Sequence, residues 1–119
     1  MTFGDFLAAQ RKEKGIIYRD IAEALGLSIV YVSDVEKGRR NVFERERLKT
    51  LALLLGLTDE ERTLMYDLAG KQRGEVSPDL PEYIMENDCV RYALRTARDL
   101  DADETEWLKF VEELKRRKG

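Results

Sequence analysis

The stretch IAEALGLSIVYVSDVEKGRRNVF, Ile21–Phe43, governs how the rest of the chain is read. Ile21, Ala22 and Leu25 recur at helical spacing, Gly26 ends that helix, and Ser28 is a good N-cap for the next one. The following helix is expected to run to about Lys37, with Val32 and Val35 facing inward and Gly38 as its exit. Its core stripe needs only those two valines, yet Ile29, Val30 and Tyr31 crowd its first turn. Three large apolar or aromatic residues at the open end of a short, otherwise charged helix call for a reason.

Working outward, Phe3, Phe6, Leu7 and the stem of Arg11 mark a first helix over about 2–14, with Gly15 as its stop. The second helix starts at Tyr18. A fourth, over about 44–55, presents Leu48, Leu51, Ala52 and Leu55 and ends at Gly56. Thr58 followed by Glu61 has the spacing of a capping box, opening a fifth helix with Leu64, Leu68 and Ala69 inward and Gly70 as its stop. No segment shows sustained two-residue alternation bounded by turn signals, so no sheet is expected. The polar, glycine- and proline-punctuated KQRGEVSPD, residues 71–79, reads as a linker. Residues 80–119 carry three further amphipathic patterns, the first with Leu80, Tyr83 and Ile84, the second with Val90, Ala93, Leu94 and Ala97, the last with Trp107, Phe110, Val111 and Leu114. They enclose too little core to stand alone and are expected to pack on the first part or on another chain. The fold class is all-α, a five-helix domain over residues 1–70 followed by a helical extension.

Composition narrows the functions. Histidine is absent, which removes the commonest general base and metal ligand, and no catalytic constellation, metal site or cofactor is expected. Asp99, Asp101, Asp103 and Glu104 cluster at a helix start, where acids are expected for structural reasons. Apolar runs are short and no signal pattern precedes the first helix, so the chain is expected to be cytoplasmic, with no membrane partner. Cys89, the single cysteine, is either a buried free thiol or else a redox switch or the site of an intermolecular bridge. The net charge of −3 argues against nucleic acid, but the distribution does not. Residues 1–74 carry 13 Lys/Arg against 12 Asp/Glu, and residues 75–119 carry 8 against 12. Between Lys37 and Lys49, six cations (Lys37, Arg39, Arg40, Arg45, Arg47 and Lys49) face only Glu44 and Glu46.

Two short helices joined by a tight glycine turn, the second followed by a basic loop, are the geometry that places one helix in the major groove of DNA. With Ala22, Gly26, Val32, the Glu36-x-Gly38 exit, Arg39 and Arg40, and with Arg11 and Gly15 upstream, residues 1–70 resemble the Xre family of lambda-repressor-like helix-turn-helix regulators. The resemblance implies a transcriptional regulator, with repression the expected outcome, and a buried ion pair between Arg11 and Glu36. Tyr18 and Arg19 are further candidates for DNA contact, although the chain departs from many relatives at Tyr18, where a phosphate-touching glutamine is frequent, and at Ile29 and Val30, where polar base-reading side chains are frequent.

The crowded first turn then has a use. Ile29, Val30 and Tyr31, with Ser28, Ser33 and Asp34 around them, are placed to reach base edges, the apolar members toward thymine methyls. The alternative is that Ile29 or Tyr31 folds back as the edge of the core. Asp34 either accepts from a cytosine amino group or holds a neighbouring arginine. Lys37, Arg39, Arg40 and Asn41 are candidates for phosphate contact. Trp107 and Phe110 share a helical face that is either internal core or the seam of a homodimer, and a dimer on a pseudo-palindromic double-stranded operator gains affinity from effective concentration. The acidic, aromatic C-terminal region also fits an antitoxin or other interaction module, with the helix-turn-helix reduced to autoregulation. The terminal KRRK is a basic helix end that the helix dipole favours.

Overall fold

The computed structural model describes residues 1–118, the side chain of Lys118 excepted, so one member of the KRRK end lies outside the described residues. Among them every regular element is helical: α1 Phe3–Glu13, α2 Tyr18–Leu25, α3 Ile29–Glu36, α4 Arg45–Leu55, α5 Asp59–Arg73, α6 Pro81–Glu86, α7 Asp88–Asp99 and α8 Glu104–Lys118. The helix starts follow from local chemistry. Thr2 Oγ1 accepts from the Asp5 amide at 3.1 Å while Asp5 accepts from the Thr2 amide at 3.0 Å. Thr58 and Glu61 make the same reciprocal pair at the head of α5, at 2.9 and 3.1 Å.

Residues Met1–Pro81 form one compact unit. Its core joins Phe3, Phe6 and Leu7 of α1, Ile21, Ala22 and Leu25 of α2, Val32 and Val35 of α3, Leu48, Leu51 and Leu55 of α4, and Met65, Leu68 and Ala69 of α5, with Val42 and Phe43 from the loop before α4. Helix α2 packs on α3 and α4, and α1 on α3 and α5. The approach of α1 to the end of α3 depends on Gly4: a Cβ there would lie 2.0 Å from the Glu36 carbonyl oxygen. A side chain at that position would push the third helix outward.

Two expectations for α5 need correction. Leu64 is exposed, while Met65 and Tyr66 are buried. The buried arc is centred on Met65 and Ala69, which leaves Leu64 just past its rim. Nor does the helix stop at Gly70. It continues to Arg73, and the left-handed cap is Gly74 at φ 69°. Gly70 is a buried helical residue pressed by the chain that follows it.

The residues from Glu82 onward form a second unit. Asp103 caps α8, accepting from the Glu106 amide at 2.9 Å, which gives one acid of the Asp99–Glu104 cluster a structural task. Among the described residues neither α6, α7 nor α8 buries a side chain. Trp107 and Phe110 do share a face, edge to face at 6.3 Å between centroids, but they are 38% and 52% exposed. Cys89 is exposed, not buried, because α7 has no core to turn it toward.

Candidate nucleic-acid interface

Helix α3 is positioned from behind and at both ends. Val32 and Val35 fix its inner face in the core, and Ser28 Oγ accepts from the Tyr31 amide at 3.0 Å to close its N-terminus. Gly26, at φ 69°, turns the chain between α2 and α3, and the Leu27 amide completes the turn on the Ala22 carbonyl at 2.9 Å.

Its C-terminus is tied by Glu36. Arg11 meets that carboxylate with two of its guanidinium nitrogens, Nε at 3.0 Å and Nη2 at 3.2 Å, and the Tyr18 hydroxyl also donates to it. The Arg11 guanidinium lies 4.4 Å from the centre of the Tyr18 ring. Burial pushes the Glu36 carboxyl upward, but the hydrogen bonds from Arg11 and Tyr18 and the charge of Arg11 more than offset it and hold the group below the usual range. The hydrogen bond to Glu36 raises both the Arg11 and the Tyr18 pKa. One residue from each of the first three helices thus meets in a charged knot. The sequence resemblance implies the Arg11–Glu36 pair, whereas the third member, Tyr18, a candidate for DNA contact in the sequence, turns its hydroxyl toward Glu36.

The crowded first turn separates into two kinds of residue. Ile29 is 44% exposed and Val30 is 68% exposed, so both present methyl groups to solvent at the open end of the helix. Tyr31 is half-buried: its ring stacks on Phe43 at 6.4 Å with 18° between planes, and Phe43 in turn meets Phe3 edge-on at 6.1 Å. Over the Tyr31 ring sits the Arg40 guanidinium, 4.1 Å from its centre. Tyr31 is therefore both the edge of the core and the platform on which the Arg40 cation rests.

Around this turn the remaining candidates fall as follows. Arg19, Ser28, Lys37, Arg39, Arg40 and Asn41 are exposed, and Ser33 and Asp34 are half-buried. Asp34 lies 3.9 Å from Arg39, close enough to bias that flexible cation without a hydrogen bond. Asn41 Oδ1 accepts from the Val42 amide at 2.8 Å, which leaves its amide nitrogen outward. The cations of α4 are differently placed. Arg47 donates to the Leu25 carbonyl at 3.1 Å and to Glu44 at 2.8 Å, and Lys49 lies 3.7 Å from Glu46. Arg47 thus caps the end of α2, a role that no spacing pattern announces. The cations with least acidic compensation are those of the loop after α3.

These residues lie within the part of the chain that known proteins share. Residues 2–65 match the family described as helix-turn-helix domain. The HTH-type transcriptional regulator DdrOP3 of Deinococcus deserti is 33% identical over 78 residues, which are 66% of this chain and 60% of that protein. The match thus spans less than two thirds of that relative's length. No solved structure matches. Because the matched stretch is more than half of the chain and contains α2, the Gly26 turn and α3, this protein belongs to the helix-turn-helix domain family.

Proposed function

We propose that this protein is a DNA-binding transcriptional regulator of the Xre type, acting in the cytoplasm as a repressor and as a homodimer on a pseudo-palindromic double-stranded operator. The observation that carries the reading is α3 with the loop after it: Ile29 and Val30 of its first turn are exposed, Lys37, Arg39 and Arg40 at and beyond its end are exposed too, and Arg40 reaches back over Tyr31 of that first turn. Methyl groups flanked by phosphate-seeking cations suit a groove whose floor carries thymine methyls and whose rims are anionic. In this reading the residues from Glu82 onward supply the dimer contact, and the segment after α5, expected to be a linker, belongs to the first unit. Among the described residues no helix is long and apolar enough to cross a membrane, and no His, Cys, Asp or Glu cluster is arranged to hold a metal. Selection of bound sequences from a random DNA pool tests the proposal. Enrichment of an inverted repeat supports it, and failure to enrich any sequence refutes sequence-specific binding.

One observation favours a second reading. Trp107, Phe110, Val111 and Leu114 remain exposed on α8, a face that an unrelated protein could cover, as in an antitoxin whose helix-turn-helix only autoregulates. A stoichiometric complex with a different protein that displaces the homodimer would favour this alternative, whereas a purified chain that sediments as a dimer and binds the operator unaided favours the first.

A further inference from the structure

The loop after α3 ends in Val42, which is 3% exposed and precedes the start of α4 at Arg45. A buried amide and carbonyl need partners, and here side chains supply them. Asn41 Oδ1 takes the Val42 amide at 2.8 Å. The carbonyl is taken at 2.5 Å by Nη2 of Arg73, the last residue of α5 and 31 positions further along the chain. Arg73 is held in turn. After Gly74 the chain folds back over α5: the Glu75 amide bonds to the Gly70 carbonyl at 2.9 Å, and the Ser77 hydroxyl donates to Asp67. Gly70 admits this approach because it has no side chain, since a Cβ would lie 2.9 Å from both the Glu75 carbonyl oxygen and the Ser77 nitrogen. Phe43, Arg45, Arg73, Val76, Pro78 and Pro81 line the resulting cleft, of about 260 Å³. Both Arg73 and this folded-back segment lie beyond residues 2–65, the stretch that matches the family.

We infer that Arg73 is a positioning residue for DNA binding: by gripping the Val42 carbonyl it fixes the direction in which Arg39, Arg40 and Asn41 leave the domain. The inference rests on the DNA-binding reading given above. It gives the segment expected to be a loose linker a second task, because the arginine that anchors the phosphate-facing loop is also the residue from which that segment departs. Without the grip, the Val42 carbonyl is left without its partner, and the loop gains freedom that phosphate binding must then remove.

The test is a double-mutant cycle in the full chain, titrated against its selected operator at several salt concentrations. Arg73→Met keeps the aliphatic stem and removes the donor. It is expected to weaken binding roughly tenfold and to lower the salt slope by about one unit for each phosphate that the loop no longer reaches. In a chain already carrying Arg39→Ala, Arg40→Ala and Asn41→Ala, the same change should cost nothing further. A purely structural role would lower the melting temperature, leave the salt slope unchanged and weaken both backgrounds equally. That result overturns the inference while leaving the DNA-binding reading intact; a wild-type chain that binds no DNA overturns both. Should the methionine variant fail to fold, Arg73→Lys retains the charge and one donor and runs the same cycle. A partial loss confined to the background with an intact loop supports the grip, and equal losses in both overturn it.

Discussion

Residues 1–81 and the residues from Glu82 onward are built from the same material, short amphipathic helices, but they end in opposite states. In the first unit five helices converge until Leu7, Ile21, Val32, Leu48, Leu51, Met65 and Ala69 are fully enclosed. In the second, α7 and α8 carry apolar stripes as clear as those of α1 or α4, yet Leu94, Trp107, Phe110, Val111 and Leu114 remain exposed. An amphipathic period specifies which face of a helix will be covered; it does not specify by what. In the first unit the cover is intramolecular and leaves α3 free to present its outer turn. In the second the face itself is the feature to be explained, and a second copy of the chain is the cover that the proposed function needs.

The contrast makes opposite predictions for apolar substitutions in the two units. Leu51→Ala removes a fully buried side chain and should destabilise residues 1–81 by about 2–5 kcal/mol, read by thermal or denaturant unfolding followed by circular dichroism. Loss of less than about 1 kcal/mol would mean that the core is looser than described. Replacing Trp107 and Phe110 together with serine should leave that unfolding transition unchanged and, if the proposed homodimer is closed by this face, yield monomers. Operator affinity should fall about a hundredfold, because the second half-site is no longer tethered. Sedimentation beside DNA titration decides the point. A variant that stays dimeric with normal affinity would remove this face from the dimer contact and return it to the alternative of a different protein partner.

Most of the first unit is legible in the sequence because its determinants are local. The limits of α2 follow from Ile21, Ala22, Leu25 and the glycine behind them, and Ser28 and Thr58 act as caps where their spacing places them. What cannot be read there depends on parts distant along the chain. A glycine such as Gly70 marks either a helix stop or a close approach, and only the returning segment Glu75–Ser77 distinguishes them. A cation such as Arg47 reads as part of a basic patch until the Leu25 carbonyl is found beside it. Tyr31 reads equally as core edge or as base contact, and its ring is found stacked on Phe43 beneath Arg40. Cys89 reads as buried only because helices in a folded domain usually bury their thiols, and α7 contributes no buried residue.

The knot at the end of α3 sets a smaller effect against the same background. Tyr18→Phe removes the hydroxyl that donates to Glu36 but leaves the Arg11 pair, so a loss of about 1–2 kcal/mol is expected at neutral pH. The pH dependence follows from the lowered Glu36 carboxyl. Its contribution is fully present above the ordinary glutamate value of about 4.3 and is lost as pH falls through the lower folded value. Wild type and variant should therefore show their full difference above about pH 5 and converge only as pH falls through that lowered value. Chemical unfolding at about pH 3 and about pH 7 measures this, and a difference that persisted undiminished in acid would contradict it. Operator affinity of the folded variant should be unchanged, whereas a phosphate contact by Tyr18 would lower affinity and leave stability intact.

The smallest effect concerns Ile29 and Val30, on which the base-reading role of the first unit depends. Both are exposed in the free chain, so neither contributes appreciably to its stability, and alanine at either position should leave the unfolding transition within about 0.5 kcal/mol of wild type. On the operator the same changes should cost about 1 kcal/mol each, because the thymine methyls are then left without an apolar neighbour in the groove. Replacing the matching thymines with uracil removes the other half of each contact, so the penalty for alanine should largely disappear on the uracil-containing site while the affinity of wild type falls to meet it. Titrating wild type and both variants against the two operators gives the coupling directly. Penalties that are identical on thymine and uracil would mean that these side chains only fill space against the sugar-phosphate rim, and the specificity of α3 would then have to come from Ser33, Asp34 and the Arg40 held over Tyr31.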